Sequence, residues 1–395
     1  MSDTMRFLYA SNVSTDMQYS GILRKVAGQA AGAARLGWDA SYTCVEGNCV
    51  LLRRSGREGE DRFPFPDAAR WSEQQTRIAE TIGALLAEDP RDVVYIKGFL
   101  TNPYYRMIAK SAKEANPACR VVFEVATYPY WGEYKRFFRV DLARRDLRGL
   151  LGHVKEVAQH GFTTLSFSRY VDAVVTFGSP VERLWGIPAL PLDNGVDVAS
   201  IPQREDRAPR ERISLLGVAG TSIAHGYDRI LRGMRQYYDN SPKIPLVFHI
   251  VGKNETIQQL QGLAASLGLE EQVKFLGYKT AGELAELYCE NDAAVSSLGV
   301  YRIGLTHLSP LKSREYCAAG IPFLYAYEDR LLSGGLPFAL KLPNEDAPAD
   351  MAAVVDFVQA CRQDPALSGK ERQFAEEHYD WAIIMQQVLD FVRQR

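Results

Sequence analysis

A segment that begins at Ser309, SPLKSREYCAAGIPFLYA, carries residue types in an order that suits the binding of a phosphate group. Ser309 is a favourable N-cap and Pro310 is favoured in the first turn, so the pattern predicts that a helix begins here. The N-terminus of a helix attracts anions, and after Leu311 the ammonium of Lys312 adds a full positive charge. Glu315, one turn later, is placed to accept hydrogen bonds from ribose hydroxyls. The alternative is a capped helix with a surface Lys–Glu pair.

Three further side chains are candidate partners for the same phosphate. His225, in AHGYDR, follows a predicted strand, Ser214–Val218, and would project from the carboxyl end of a sheet. A lone histidine is otherwise usually structural. Arg229 opens the next helix and could turn back to phosphate or pair with Asp228. Arg302, in LGVYRIGL, is a third candidate cation.

Glu124 stands out in the first half of the chain. It closes a predicted strand, Arg120–Val125, and buried parallel strands normally carry apolar side chains throughout. The loop that follows, TYPY, has aromatic faces that could stack on a sugar or simply pack on the domain. The position of Glu124 favours a functional role.

Several common catalytic signatures are absent from the sequence. It contains no GxxxxGK[ST], GxGxxG, GxSxG or HExxH motif and no Asp-x-Asp pair. Without Asp-x-Asp there is no obvious carboxylate pair to hold a metal ion against a diphosphate, so side chains and helix ends would have to neutralise its charge. The absence of GxGxxG disfavours a dehydrogenase. The six cysteines lack the paired spacing of a zinc site.

Short β-branched and aromatic runs alternate with helical stretches, which is typical of parallel sheets with crossover helices. In the first half the predicted strands are Arg6–Ala10, Ser41–Val45, Asp92–Lys97, Arg120–Val125 and Ala173–Phe177. In the second half they are Ser214–Val218, Leu246–Gly252, Val273–Gly277, Ala293–Leu298 and Pro322–Ala326. The sequence therefore predicts an α/β protein with two doubly wound, parallel-sheet, Rossmann-like domains that face a cleft.

The length of 395 residues also favours two domains, at about 100–200 residues each. A polar stretch with an Asn-Gly turn marks the boundary. We expect an N-terminal domain over residues 1–195, a nucleotide-sugar-binding domain over 196–380, and a last helix over 381–395 that packs back on the first domain. The formal net charge of −2 gives no global attraction to nucleic acid.

At these motifs the sequence resembles the family-four retaining glycosyltransferases of the GT-B fold. The signature helix is followed by Ala319-Gly320-Ile321-Pro322, and the hinge reads Asn194-Gly195-Val196-Asp197. Further similarities are the loop at Gly21, Gly252 and Lys253 in HIVGKNE, and Gly277 and Tyr278 in VKFLGY. More narrowly, EVATYPYWGE, AHGYDR, LGVYRIGL and SPLKSREYCAAGIPF resemble a subgroup associated with capsular or exopolysaccharide synthesis.

The resemblance implies transfer of a sugar, most simply a hexose, from a UDP or GDP type donor to a glycan or lipid-linked acceptor, with retention and without a metal ion or other cofactor. Glu315 fits the glutamate that holds the ribose. His307 stands eight residues earlier, where the family has a second glutamate on the donor sugar. Lys312, Arg302 and His225 would stabilise the leaving diphosphate, and Glu124 would orient the acceptor.

Two other classes of function stay open. One is a non-catalytic nucleotide-sugar or glycan-binding protein that kept the GT-B frame after losing the glutamate at the His307 position. The other is a GT-B enzyme of different reaction type, a phosphorylase or an epimerase. Donor hydrolysis or transfer would discriminate between them.

The stretch Trp131–Arg148 bears on location. Its basic residues (Lys135, Arg136, Arg139, Arg144, Arg145 and Arg148) alternate with Phe137, Phe138, Leu142 and Leu147. It could dock on anionic lipid only if its apolar side is exposed, and a solvated surface helix is the favoured prediction. The start of the chain lacks the features of a signal peptide and no long apolar run occurs, so we expect a cytoplasmic protein, with peripheral membrane association left open.

Overall fold

The computed structural model of the chain describes residues 4–16, 19–178, 180–205, 211–218, 223–240, 244–252, 255–333 and 335–394. It divides into two compact units. The first comprises Met1–Gly195 together with Asp380–Arg395, and the second comprises Val196–Tyr379.

The first unit contains nine strands and five helices among the described residues before the chain enters the second unit. In chain order they are β1 (Arg6–Ala10), α1 (Ser20–Arg35), β2 (Asp39–Glu46), β3 (Cys49–Arg54), β4 (Asp61–Pro64), α2 (Trp71–Glu88), β5 (Val93–Gly98), α3 (Pro103–Ala115), β6 (Arg120–Tyr128), α4 (Trp131–Arg144), α5 (Leu147–Phe167), β7 (Ala173–Gly178), β8 (Arg183–Leu184) and β9 (Ile187–Leu192).

These strands form one sheet in the order β4-β3-β2-β1-β5-β6-β7-β9-β8. The six strands from β2 to β9 in that order are parallel, whereas β3, β4 and β8 are antiparallel additions at the edges. The predicted parallel core is therefore present, and the antiparallel edge strands were not predicted. Helices α2, α3 and α5 cover one face of the sheet with a continuous apolar core.

The second unit is a parallel sheet throughout its described strands, in the order β12-β11-β10-β13-β14-β15. Its elements are β10 (Ile213–Val218), α6 (Tyr227–Asp239), β11 (Leu246–Val251), α7 (Glu255–Ser266), β12 (Val273–Gly277), α8 (Ala281–Glu290), β13 (Ala293–Val295), α9 (Leu311–Ala319), β14 (Phe323–Tyr325), β15 (Ala339–Lys341), α10 (Met351–Arg362) and α11 (Leu367–His378).

Two apolar clusters fill the two faces of this sheet. Leu215 of β10 belongs to the cluster under α6, α7 and α10, and the next residue, Leu216, belongs to the cluster under α8, α9 and α11. Successive residues of a strand point to opposite faces, so the apolar run of β10 reflects burial on both sides. The doubly wound architecture that was predicted is confirmed.

The last helix, α12 (Trp381–Arg393), packs against α1 in the first unit. Two glycines of α1 make this close approach possible. A Cβ on Gly28 would lie 2.4 Å from the Trp381 indole, and one on Gly32 would lie 2.6 Å from the Trp381 backbone. Asp380 caps α12 and pairs with Arg35 at 2.7 Å. No helix in the described part of the chain is both long and apolar enough to cross a membrane.

Glu124 is buried in the middle of β6, and the prediction that it closes the strand at a functional edge is wrong. The strand runs on to Tyr128, and Glu124 is 0% exposed beneath α1. Lys25 of α1 pairs with one carboxylate oxygen at 2.9 Å, while Tyr9 and Tyr95 donate to the other at 3.1 and 2.9 Å. The carboxylate is therefore fully engaged in fastening α1 to the sheet.

The charged state of this cluster follows from its contacts. Burial alone would raise the pKa of Glu124, but the adjacent Lys25 ammonium lowers it, and the net pKa lies below the usual value. Burial lowers the pKa of Lys25, and Glu124 opposes that shift. Lys25 also lies over the Phe177 ring, 3.7 Å from its centroid. Each charge is tolerated in the core because the other is present.

Replacing Lys25 by Met would leave the Glu124 carboxylate buried without its counter-charge. We expect Lys25→Met to lower the free energy of unfolding by about 3–5 kcal/mol, measured by chemical denaturation. Arg62→Met, which removes the exposed ion pairs with Glu46 and Glu60, is the control and should leave the midpoint close to that of the wild type. Equal effects from the two substitutions would contradict a structural role for the buried pair.

Candidate functional site

The candidate site of the second unit is built at the carboxyl ends of β10 and β13. The Tyr227 hydroxyl lies 2.9 Å from the carbonyl oxygen of Val218 and 3.1 Å from that of Val295, the last residues of the two strands. Ligands of parallel sheets bind beyond this edge. Tyr227 thus fixes the start of α6 at the edge where a ligand is expected.

Helix α9 begins at this edge with a different N-cap from the one predicted. Pro310 occupies the N-cap position, Leu311 is the first helical residue, and no side chain caps the helix. Ser309 is buried, and its hydroxyl accepts a hydrogen bond from Arg314 at 2.8 Å. The first turn therefore keeps the positive end of its backbone dipoles without a side-chain acceptor from its own cap. Gly320 ends the helix in the left-handed conformation, as the sequence predicted.

The ammonium of Lys312 lies in the first turn of α9 and points to Tyr227 and His225. Its Nζ is 2.9 Å from Nδ1 of His225 and 3.3 Å from the Tyr227 hydroxyl. It also lies 5.2 Å from the centroid of the Tyr227 ring. Burial lowers the pKa of Lys312 to about 7. An anion that reaches this group would favour its protonated form, because an opposite charge offsets the cost of burial.

His225 is the neutral partner of this ammonium. Burial and the nearby Lys312 lower its pKa well below the usual value of 6.5. A neutral imidazole can accept a hydrogen bond from Lys312 at Nδ1 only if its own proton is on Nε2. His225 ends a 3₁₀ turn, Ile223–His225, that follows β10, which is the loop position predicted from the sequence.

Gly226 explains why two separated motifs meet here. Its φ is +63°, and a Cβ would lie 2.6 Å from the backbone nitrogen of Gly299. The close approach lets the N–H groups of Leu298 and Gly299 donate to the carbonyls of His225 and Ala224, both at 2.9 Å. AHGYDR and LGVYRIGL are therefore two sides of one packed corner.

Arg302 is engaged within this corner and does not stand ready for a phosphate. Its guanidinium donates to both carboxylate oxygens of Asp228 at 2.7 and 2.8 Å, and to Asp346 at 2.7 Å, while Nε donates to Tyr301 at 2.7 Å. Burial alone would raise the pKa of Asp228, but the bidentate Arg302 keeps it below the usual value. The interaction fixes the start of α6.

Arg229 has neither of the two roles considered for it. It is 1% exposed, and its guanidinium donates to the carbonyl oxygens of Ala347 at 2.7 Å and Leu298 at 2.6 Å. The pairing with Asp228 that seemed plausible from adjacency is made by Arg302 and Arg232 instead. Arg229 is a structural cross-link between α6 and two loops.

The remaining predicted residues are distributed around the same edge or lie elsewhere. Glu315 is partly buried one turn after Lys312 on α9. His307 precedes α9, forms an isolated bridge with Glu328, and its Nδ1 is 3.0 Å from the Thr306 hydroxyl.

Two glycines join the carboxyl ends of the neighbouring strands. The N–H of Gly252 donates to the carbonyl of Gly277 at 2.8 Å, and both have positive φ values. Tyr278 follows and is 58% exposed. Lys253 lies outside the described residues. Gly21 lies in the first turn of α1, in the other unit.

Two residues that support the site were not predicted from the sequence. One is Tyr227, which orients Lys312. Its role could have been suspected only because the hydroxyl of a buried tyrosine usually has a hydrogen-bond partner. Arg314, 0% exposed, pairs with Asp329 at 2.6 Å and lies 4.2 Å from the centroid of the Tyr379 ring. This buried pair holds the N-terminal half of α9 against the loop after β14.

A small cavity of about 150 Å³ opens beside this site. Its lining includes His225, Asp228 and Arg302 on one side and Thr256 and Gln259 of α7 on the other. It is smaller than typical ligand pockets of about 300–1,000 Å³, so it would take only a portion of a ligand. Among the described residues no group of three His, Cys, Asp or Glu side chains is arranged to hold a metal ion.

Known proteins are similar to this chain at two levels. Residues 203–326, which contain β10, His225 and all of α9, match the family model described as Glycosyl transferases group 1. No curated protein matches the sequence. The matched segment contains the site described above.

Solved structures share the whole fold. Sucrose-phosphate synthase from Thermosynechococcus elongatus is 16% identical with a TM-score of 0.61, and the match covers 99% of this chain and 98% of that one. Anabaena Alr3699/HepE in complex with UDP and glucose is 12% identical with a TM-score of 0.58, covering 99% and 100%. The catalytic domain of Arabidopsis thaliana starch synthase IV, bound to ADP and acarbose, is 9% identical with a TM-score of 0.65, covering 100% and 99%. The chain therefore has the GT-B fold.

The low pKa of Lys312 should make the free energy of unfolding depend on pH. Its folded pKa of about 7 lies below the value of 10.5 for an unburied lysine, so the unfolded chain binds the proton more readily. The resulting loss of stability is absent above pH 10.5, grows as the pH falls towards 7, and is constant below that. Relative to the wild type, Lys312→Met should therefore gain stability as the pH falls from about 10 to about 7.

Denaturation midpoints of both proteins at about pH 6, 8 and 10 give this difference directly. Lys370→Met, at an exposed lysine of α11, is the control. A difference between Lys312→Met and the wild type that does not vary with pH would show that the Lys312 amine titrates as it does in water.

Proposed function

We propose that the chain transfers a sugar from a nucleoside-diphosphate donor, with the diphosphate bound at the N-terminus of α9 beside Lys312. The observation that carries this proposal is the position of the Lys312 ammonium, held by His225 and Tyr227 at the carboxyl edge of the sheet. It lies in the segment that matches the glycosyltransferase family model.

The chemistry of sugar transfer needs what this site can supply. When the bond between the anomeric carbon and the donor oxygen breaks, negative charge accumulates on the departing diphosphate. A preorganised cation and helix dipole in a site shielded from water stabilise that charge most strongly. Because Lys312 has a pKa of about 7, the approach of a diphosphate would shift it fully to the ammonium form.

Neutral His225 supports this role. A protonated imidazole at 2.9 Å would repel the ammonium, whereas the neutral ring accepts a hydrogen bond from it. His225 and Tyr227 therefore act as positioning residues for Lys312. Arg302 and Arg229 contribute indirectly, because they hold the corner that carries His225.

Recognition of the rest of the donor is assigned to residues around this point. We propose that Glu315 accepts hydrogen bonds from the ribose and that the Gly252 and Gly277 strand ends, with Tyr278, border the nucleotide. Lys253 stays a prediction from the sequence. His307 replaces the family glutamate at the donor sugar, and we propose that this substitution alters which sugar is accepted. Gly21, in the first unit, stays a prediction from the sequence.

The remaining details of the reaction are also proposed. They are a retaining transfer of a hexose, without a metal ion or other cofactor, from a UDP or GDP type donor to a glycan or lipid-linked glycan of a surface polysaccharide, in the cytoplasm. Support comes from the resemblance of four motifs to a capsular or exopolysaccharide subgroup. HepE, a structural relative, binds UDP and glucose.

A non-catalytic nucleotide-sugar-binding protein is the second candidate, and one observation favours it. The position where the family has a glutamate on the donor sugar carries His307. Such a protein would bind the nucleoside diphosphate without consuming the sugar donor. A phosphorylase or an epimerase would instead yield a sugar phosphate or an altered sugar.

Removing the Lys312 ammonium should reduce catalysis. UDP, GDP and ADP are first ranked by the thermal shift that each produces, and the corresponding nucleotide glucose is then used as donor. We expect Lys312→Ala to lower kcat/KM for donor hydrolysis or transfer by about 10²-fold, because it removes a donor aimed at the leaving group.

The matched control is Lys370→Ala, which removes an exposed lysine from the same unit and should keep the wild-type rate. A wild-type rate in Lys312→Ala would reject the assignment of Lys312. If the wild type binds a nucleoside diphosphate but consumes none of the three donors, the binding-protein alternative is favoured over the enzyme.

Glu315 should act on binding and much less on the chemical step. We expect Glu315→Ala to weaken nucleoside diphosphate binding by about 10-fold, because a charged hydrogen-bond acceptor for the ribose is lost, while kcat changes little. Isothermal titration calorimetry measures the dissociation constant. Glu270→Ala, at an exposed glutamate of the same unit, is the control. An unchanged affinity in Glu315→Ala would rule out the ribose contact.

A further inference from the structure

Helix α5 has a long apolar stripe that no segment of the described chain covers. Its large members are Leu147, Leu151, Val154, Phe162 and Leu165, which are 69%, 68%, 50%, 77% and 80% exposed. At about 100° per residue, these positions fall within an arc of about 80° on one face. The opposite face carries the buried His160, Thr163 and Phe167, so the stripe is distinct from the packed side of the helix.

The preceding helix extends this apolar surface. Helices α4 and α5 form a hairpin through a short turn at Arg145, and Leu142 beside the turn is 71% exposed. Trp131 and Phe137 of α4 are also exposed. Scattered exposed apolar residues are normal on a soluble protein, but a stripe along a whole helix marks an interaction surface. The condition set for docking on anionic lipid, an exposed apolar side, is therefore met in this segment.

Charge around the stripe has one dominant sign. Residues 131–169 contain eight Lys and Arg against four Asp and Glu, in a chain with a net charge of −2. The acidic side chains that the structure describes make hydrogen bonds within the α4–α5 hairpin. Asp141 binds His153 at 2.7 Å, Asp146 caps α5, and Glu156 accepts from Tyr134 at 3.1 Å.

The basic groups are left facing solvent. Seven Lys and Arg side chains of the segment are described, all are exposed, and none makes an ion pair within the described residues: Lys135, Arg139, Arg144, Arg145, Arg148, Lys155 and Arg169. Arg136 has a side chain outside the described portion of the chain. On α5 itself Arg148 and Lys155 lie beside the apolar stripe. Basic side chains without an ion pair lie beside exposed apolar side chains. This arrangement favours a partner with an anionic surface layer and an apolar layer beneath it.

We infer that the α4–α5 hairpin, residues 131–169, binds the surface of an anionic lipid bilayer. The stripe from Leu147 to Leu165 would enter the boundary between headgroups and acyl chains, and the basic side chains would contact lipid phosphates. A second copy of the chain fits less well, because two such surfaces would bring their positive charges together. The surface belongs to the first unit and includes none of the residues proposed to bind the donor.

Vesicle binding by the full-length protein tests this inference. The vesicles are phosphatidylcholine alone, or phosphatidylcholine with about 30% phosphatidylglycerol, at physiological salt. We expect the wild type to sediment with the anionic vesicles and much less with the neutral ones. Adding salt to the anionic sample should lower the bound fraction, since screening weakens the contribution of the basic residues.

Two triple variants separate the apolar and the charged contributions. Leu151→Ser with Phe162→Ser and Leu165→Ser should reduce the partition coefficient on anionic vesicles by at least about 10-fold. Arg144→Gln with Arg145→Gln and Arg148→Gln should reduce it by a similar factor and remove the preference for phosphatidylglycerol. All six side chains are exposed, so circular dichroism should show unchanged folding.

Matched substitutions elsewhere on the first unit provide the controls. Trp71→Ser removes an exposed large apolar side chain, and Lys110→Gln removes an exposed cation, and both should bind vesicles as the wild type does. The inference is overturned if the wild type stays in the supernatant with anionic vesicles, or if either triple variant binds like the wild type. It is also overturned if light scattering shows a dimer that the apolar variant dissociates while vesicles bind none of the proteins.

Discussion

The site in the second unit depends on one unfavourable act, the burial of an ammonium group beside the positive end of a helix. Lys312 is held there by a neutral imidazole at 2.9 Å and a phenol hydroxyl at 3.3 Å, and neither carries a compensating charge. The cost appears as a pKa lowered to about 7. A binding anion would remove that cost, so the burial of Lys312 favours the binding of a phosphate.

The surrounding structure can be understood as the support that this burial requires. Tyr227 is fixed to the ends of β10 and β13, and His225 is fixed by the close contact of Gly226 with Gly299. Arg302 and Arg229 hold the same corner together, through Asp228 and the carbonyl of Leu298 respectively. On the other side, Arg314 and Asp329 anchor the first half of α9. Substitutions in this support would act on Lys312 without touching a ligand.

Much of the fold could be predicted from the sequence because its signals are local. The parallel strands show as apolar runs, and the glycines at strand and helix ends require positive φ, as at Gly320. Strands β3 and β4 were missed, although Gly47-Asn48, which joins β2 to β3, is a hairpin signal. The helical spacing of the apolar residues of α5 is visible in the sequence. Their exposure could not be predicted, since periodicity does not tell which face of a helix is packed.

The errors at the site have a common cause, which is pairing across long stretches of chain. Glu124 looked functional because its partner Lys25 lies 99 positions away. Arg302 looked available because Asp228 lies 74 positions away. Ser309 looked like a cap, yet its hydroxyl serves Arg314, which is itself engaged by the distant Asp329. A charge whose partner is far away in sequence cannot be distinguished from a free one without the fold.

The most direct measurement is the pKa of the Lys312 amine by NMR of the protein with ¹³C-labelled lysine, using Lys312→Met to assign the signal. We expect a pKa near 7 in the free protein and a rise of at least about one unit when UDP or GDP is bound, because the diphosphate favours the charged form. A pKa near that of an exposed lysine, or one that no nucleoside diphosphate changes, would contradict it.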